Sequence, residues 1–485
     1  MVIYHARHIW NKAMVYERTG LLLAERDQPQ EDADLFKDLD QARLDRREVY
    51  KDLALDPERA KQATDLWHHG GNPNLSATHL DEVVLATRIR ALKDYKRELI
   101  AAVDLDPATQ QAYRWRVNEE LANCYILRAS YEGDTKNFRR WNEFIYGKPD
   151  GDLYRAGLDF FAHDAENILK DTNSPQLAKD AAVRVLEQVG SKRGYRELLA
   201  PTDETFERVR ADHYREKGYY ALLLAGLDVP EEGKITPDVG DPMLRHIIHN
   251  NLQSDYQLAD AAGAAWGVTH SRREVERPAV YNMPVKRFFG LGPGHEIGSH
   301  LLEHVNGLRG PLALVSDGLD RVELGNEGRA IIREQVPYET FQEFSKTVRW
   351  RDIIRRHVAI SYGHGTTISE DLPHTSDETY AFMNMIDTMY QSRLTPDDPL
   401  ETEAKAYAKT DTLSLRVLKG TDGLGGAYLK DKVYLEGGVA CWLEAALRGP
   451  EAIAEGDLGK FDITNPRHIK LLQDKGLLPR AEEAI

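Results

Sequence analysis

The chain has 485 residues, 41% of them apolar and 29% charged, which is ordinary globular composition and enough material for about two to three domains. A net charge of −16 argues against nucleic acid as a partner, because phosphate binding needs a basic surface, and against anionic membranes. The longest apolar run, YYALLLAGL, falls far short of the ~20 residues a membrane-spanning helix needs.

The N-terminal stretch lacks a signal-peptide core, and the two cysteines of the whole chain, Cys124 and Cys441, supply neither a disulfide framework nor a Cys-rich metal site. They read as buried thiols, and a cytoplasmic location is expected.

Helix signals dominate from the start. Residues 1–105 are charge-rich and read as an N-terminal helical region, with a turn-rich loop at HHGGNPNLSATH (68–79). In NSPQLAKDAAVRVLEQVG, Ser174 is placed to cap, Pro175 suits the first helical position, and Gly190 suits the end. Ala178, Ala181, Ala182, Val185, Leu186 and Val189 share one face. LRHIIHNN puts His246 and His249 on a polar helix face. Short strands are expected in 277–285, 310–318 and around 355–365. YGHGTTISEDLPH reads as a loop lining the cleft. Thr375 and Glu378 form a capping box. Residues 451–485 form a C-terminal helical tail. The fold class expected is mainly α with a small β-sheet (α+β), and residues 106–450 form its central domain.

The chemistry concentrates in GPGHEIGSHLLEHVNG (292–307), which holds His295, Glu296 and His300. On a regular α-helix, residues five apart point ~140° apart, so two such imidazoles would not reach one metal. A π-bulge, at ~4.4 residues per turn, brings them back to within ~50°. Gly298 lies inside the interval and eases such a distortion. Pro293 and Asn306-Gly307 are expected to bound the helix. A catalytic zinc ion (Zn²⁺) commonly takes three protein ligands. Glu327, 27 residues beyond His300 and near the start of another helix, is the leading third ligand; His304, Asp320 and Glu323 are alternatives. Glu296 would then be free to act as general base.

HEIGSHLLEHVNG with GLDRVELGNEGRAI resembles the H-E-I-G-T-H and Q-E-G-L-A motifs of the tyrosine-carboxypeptidase family of the microtubule-associated MATCAP type, also described as domain of unknown function 1704. GDTKNFRRWNEFIYGKPD (133–150) and AYLKDKVYLEGGV (427–439) are similar to the family's upstream and downstream segments, so that the resemblance covers roughly residues 110–450. It implies a gluzincin-like zinc metallopeptidase with His295, His300 and Glu327 as ligands and Glu296 as base. Ser299, Glu303, Asn326, Arg329 and Glu436 depart from the family pattern.

The function expected is therefore a zinc-dependent carboxypeptidase acting on a peptide or protein C-terminus; the alternative is an inactive binding protein on the same fold. A substrate carboxylate needs Arg or Lys, for which Lys286, Arg287, Arg329 and Lys430 are candidates. Tyr434 or His364 could supply a hydrogen bond to the developing oxyanion.

Overall fold

Asp-Pro pairs begin three of the helices. Asp56, Asp106 and Asp398 each accept a backbone N–H from the turn that follows, and each is succeeded by a proline whose missing N–H costs nothing at that position. The computed structural model describes residues 30–43, 52–190, 194–214, 218–261, 263, 265–366, 373–396 and 398–479. It is mainly helical with a small amount of sheet.

A two-stranded antiparallel sheet pairs Lys234–Ile235 with Met283–Pro284. A three-stranded sheet places Glu274–Arg277 between Gln257–Asp260, parallel to it, and Gly267–Thr269, antiparallel. The chain leaves the two-stranded sheet directly into the helix that carries His295. Among the described residues no helix is long and apolar enough to cross a membrane.

One hydrophobic cluster runs from Leu39 to Leu478, drawing on all three stretches of the chain. In the N-terminal stretch, the Asp32 carboxylate accepts the N–H groups of Ala313 and Leu314, at 2.6 and 3.1 Å, and the Tyr113 hydroxyl at 2.6 Å. Arg116, fully buried, pairs with Glu119, Glu120 and Asp317 at 2.7–2.9 Å. The loop at 68–79 lies between the Pro57–His68 and Glu82–Ala101 helices, and the tail forms the Pro466–Asp474 helix.

The 174–190 segment folds as the helix Gln176–Val189 with its alanine and valine face buried, ended by Gly190 at φ +69°. Pro175 rather than Ser174 takes the cap position, and the Ser174 hydroxyl bonds Asp171 instead. Both groups of the capping box are made.

Three local expectations are corrected. Residues 355–365 belong to the helix Val348–His364, which is buried on most sides. Val358, Ala359 and Ile360 are consecutive buried apolar residues, and so short a run carries no period to tell strand from helix. Residues 314–317 are helical, and of 277–285 only Arg277 and Met283–Pro284 are in strands. The helix bearing the histidines does not stop at Asn306-Gly307 but continues to Arg309. Gly307 is there for space, since a Cβ would stand 2.4 Å from Ser316 Cα.

Candidate metal centre

Val285–Phe289 is α-helical and passes without a break into a π-helix, Gly290–Leu301, which reverts to α over Leu302–Arg309. Pro293 therefore lies inside the helix and does not begin it. The Leu302 N–H donates to the Ile297 carbonyl, five residues back, as π geometry requires. This winding is what the H-E-x-x-x-H spacing demands. The rings of His295 and His300 approach to 4.9 Å between centroids.

A widened helix needs outside support, and the apolar run noted above provides it. Tyr219, from the short helix Tyr219–Leu223, donates its hydroxyl toward the Pro293 and Gly294 carbonyls, 3.3 Å from each. The Arg333 guanidinium bonds the Gly298 carbonyl and lies 4.0 Å over the Tyr219 ring. Ser299 Oγ donates to the Gly294 carbonyl at 3.2 Å. A Cβ on Gly298 would fall 1.3 Å from the Tyr219 hydroxyl.

Glu327 comes from the helix Glu323–Gln335, in its second turn. That helix meets Val433–Arg448 through glycines on both sides: a Cβ on Gly328 would stand 2.2 Å from the Gly437 carbonyl oxygen, and one on Gly437 2.0 Å from that of Leu324. Glu327 Oε2 thereby lies 3.4 Å from His295 Nε2 and 3.7 Å from His300 Nε2. Glu296 Oε1 is 3.9 Å from His295 Nε2, and ligand atoms of His295, Glu296 and His300 lie within 4.8 Å of one another.

Zinc fits this donor set. Two ligand atoms each ~2.1 Å from a tetrahedral zinc ion are about 3.4 Å apart. Glu327 Oε2 is buried without a hydrogen-bond donor, although its position between two imidazoles would allow one. Neither Glu296 nor Glu327 has a Lys or Arg ion-pair partner among the described residues, so two buried carboxylates face two imidazoles. Two imidazoles and a carboxylate are a donor set that suits a divalent cation.

Burial opposes charge on His295, but Glu334 and Glu327 outweigh it and lift the ring to about 10. His300 is raised as well, burial again being overcome by Glu327. Burial also works against charge on Glu327, and His300 and His295 nevertheless hold it well below the usual carboxylate range. Glu296 is raised, chiefly by burial.

A supporting layer lies behind His295. Its Nδ1 is 2.7 Å from Glu334 Oε1, and Glu334 receives a two-pronged grip from Arg349 at 2.6 and 2.7 Å. An Nδ1–H donated to Glu334 leaves the Nε2 lone pair for a metal. Burial would raise Glu334, but Arg349 and His295 hold it at about 2. Glu334 was not singled out from the sequence, though its spacing of seven from Glu327 puts both on one helix face. The Glu334→Gln variant should bind zinc 10- to 100-fold more weakly by chelator competition. Unchanged affinity would mean that His295 is not oriented through Nδ1.

The other candidates divide. His304 stacks on His270, its Nδ1 bonds the Ser316 carbonyl, and it is not part of the cluster. Asp320 serves His468 and Arg321, and Glu323 faces Lys430 at 3.9 Å. Arg329 is corrected as a substrate contact: fully buried, it binds Glu303 at 2.7 Å and Asp457 at 3.2 Å. Lys286 is held by Glu343 at 2.9 Å. Arg287 has no ion pair among the described residues, and nothing joins it to the metal cluster. Lys430 lies near Glu327 and Tyr434 but faces Glu323. Tyr434 is close enough to Glu327 for that charge, after burial, to raise its phenol.

His364 Nε2 bonds Glu143 at 3.0 Å, its Nδ1 is buried without a hydrogen-bond partner among the described residues, and it is not part of the metal cluster. His246 and His249 turn to different carbonyls, those of Ala225 and Ser254, and share no metal. Cys124 and Cys441 are free and buried, as read. Of the glycine- and histidine-rich segment expected to line the cleft, 362–374, residues 367–372 lie outside the described residues, and Tyr362–His364 end the Val348–His364 helix. A separate groove of about 860 Å³, lined in part by His163, Asp164, Arg351 and Tyr390, includes none of the metal-cluster residues.

No protein-family model matches the chain, and no curated protein or solved structure matches it.

Proposed function

We propose that the protein is a zinc-dependent metallopeptidase of gluzincin-like architecture that acts as a carboxypeptidase on peptide or protein C-termini. The observation that carries this reading is the convergence of His295 and His300, from a π-wound helix, with Glu327 from the Glu323–Gln335 helix, and a further buried carboxylate, Glu296, beside them. The motif resemblance to the MATCAP-type tyrosine carboxypeptidases favours the same chemistry, with Glu327 as the third ligand and Glu296 as the base.

Zinc held by these three residues would supply Lewis acidity toward a peptide carbonyl. The chain's own groups do the rest. Glu334 and Arg349 fix the His295 ring. Glu296, whose carboxyl is raised by burial, accepts a proton from the attacking water at its carboxylate and returns it to the leaving amine. A purely structural zinc site would have no use for that second carboxylate and would close four ligands around the metal. The Tyr434 hydroxyl, which has no hydrogen-bond partner among the described residues, is the group offered to the developing oxyanion.

The test is digestion of a peptide library by zinc-loaded protein, with mass-spectrometric sequencing of the products. Loss of single C-terminal residues, abolished by chelation, is expected. Internal cleavage would exclude the carboxypeptidase reading, and no cleavage by zinc-loaded protein would favour a binding protein on this fold.

A further inference from the structure

The cations around the metal centre are mostly committed to carboxylates. Arg349 grips Glu334, Arg416 binds Asp431 through two nitrogens, and Lys430 faces Glu323 at 3.9 Å. Arg356 differs. It makes no ion pair or hydrogen bond with the described residues; its guanidinium carbon lies 5.8 Å from the centre of the Tyr434 ring. The Arg349 guanidinium lies 5.7 Å from the same ring. Both arginines come from the helix Val348–His364, seven residues apart, and so lie on one face and about 10 Å apart along the axis. Arg349 is bonded to the carboxylate that orients His295. The two guanidiniums thus flank one ring, that of Tyr434, whose phenol in turn feels the charge of Glu327.

A guanidinium in this position is costly without a counter-ion. Burial, together with the charges of Arg416 and Arg349, lowers its pKa in spite of Asp431. In a chain of net charge −16, a local excess of positive charge beside a metal centre is suited to an anionic ligand. The planar fork of a guanidinium matches a carboxylate, and the Tyr434 ring beneath it limits its freedom.

We propose that Arg356 is the specificity-determining residue of this site, anchoring the free carboxylate of a peptide C-terminus whose last amide bond lies at the metal centre. The peptide as substrate rests on the metallopeptidase reading; the carboxylate as ligand rests on Arg356 itself.

The experiment separates the two. N-acetyl dipeptides ending in Gly, Leu, Tyr, Lys or Glu, each as free acid and as amide, are titrated calorimetrically into the full-length Glu296→Gln protein, zinc-loaded and metal-stripped. At least one free acid should bind about 10- to 100-fold more tightly than its amide, the size of a charge-assisted hydrogen-bond pair. Adding Arg356→Gln should abolish that preference and Arg356→Lys should keep part of it, with zinc content and unfolding midpoint unchanged. Equal binding of acids and amides, no binding of any peptide, or an acid preference that survives Arg356→Gln overturns the proposal. An acid preference in the stripped protein, combined with failure to load zinc, would uphold the carboxylate site and count against the metallopeptidase.

Discussion

Replacing Glu296 by Gln is expected to lower kcat for removal of a C-terminal residue by about 10²- to 10⁴-fold, the range by which a positioned general base contributes. Zinc content should stay at the parent level. Glu296 Oε1 is further from His295 Nε2 (3.9 Å) than is Glu327 Oε2 (3.4 Å), and Glu327 alone also comes within 4.0 Å of the His300 ring. The amide keeps the shape of the carboxylate and removes only its capacity to take a proton. KM should therefore move little, because substrate binding does not use that proton. The measurement is a steady-state kcat and KM with the best peptide from the library, beside metal analysis of the same sample. Parent-level kcat with zinc retained would exclude Glu296 as base. Loss of zinc with loss of activity would instead make Glu296 a ligand and return Glu327 to a supporting role.

The convergence of His295 and His300 was legible in the sequence because its information is local. The interval between His295 and His300 fixes an angle around one helix axis, and only π winding closes it. Gly298 and the position of Glu327 near the start of the next helix are also local signals. What holds the motif in place was not legible. Tyr219 reaches Pro293 and Gly294 across more than seventy residues of sequence, and Asp457 receives Arg333 and Arg329 from a separate segment. Such contacts depend on the tertiary fold, and no spacing announces them. Glu334 and Arg356 fall between the cases. Each stands seven residues from a partner, Glu327 or Arg349, on one helix face, a pattern visible in the chain and meaningless until the partner has a role. The misread strand at 355–365 has a different cause: Val358, Ala359 and Ile360 make too short an apolar run to carry a hydrophobic period.

Several residues at which the sequence differs from the MATCAP-type motifs it resembles contact one another. Glu303 is buried, and its carboxylate bonds Arg329 at 2.7 Å. With its amide turned, Asn326 donates to the same carboxylate at 2.5 and 2.9 Å. Glu303, Asn326 and Arg329 therefore form one buried polar group in which the Glu303 carboxylate has two donors, while Arg329 Nε and Nη1 have no hydrogen-bond partner among the described residues. Glu436 likewise accepts the Asp150 N–H at 2.8 Å and bonds His357 at 3.0 Å. These residues alter the packing beneath the metal centre while leaving its donor set unchanged.

The geometry of the metal-bearing helix makes Gly298→Ala the most severe single-methyl change to be expected. The added Cβ would stand 1.3 Å from the Tyr219 hydroxyl, 2.5 Å from its ring carbon and 2.6 Å from the Pro293 carbonyl oxygen. Tyr219 is buried, lies under Arg333 and bonds two helix carbonyls, so it has little freedom to yield. Either the helix shifts and separates His295 from His300, or Tyr219 is expelled from the core. Overpacking of this kind costs about 1–3 kcal/mol and more where the neighbour is rigid. The expected result is a stability loss of about 3 kcal/mol in urea unfolding, with zinc content in the remaining folded protein below about a tenth of the parent's, equivalent to a loss of well over tenfold in affinity. Ile297→Val, next to it and fully buried, is the control: it should lose only about 0.5–1.5 kcal/mol and keep its zinc. Pairing Gly298→Ala with Tyr219→Ala removes the nearest obstacle but also the support for the Pro293 and Gly294 carbonyls. Stability should therefore recover in part while zinc binding does not, because the π winding depends on both. Full zinc binding by Gly298→Ala at the parent's unfolding midpoint would mean that the helix reaches its metal geometry by another route.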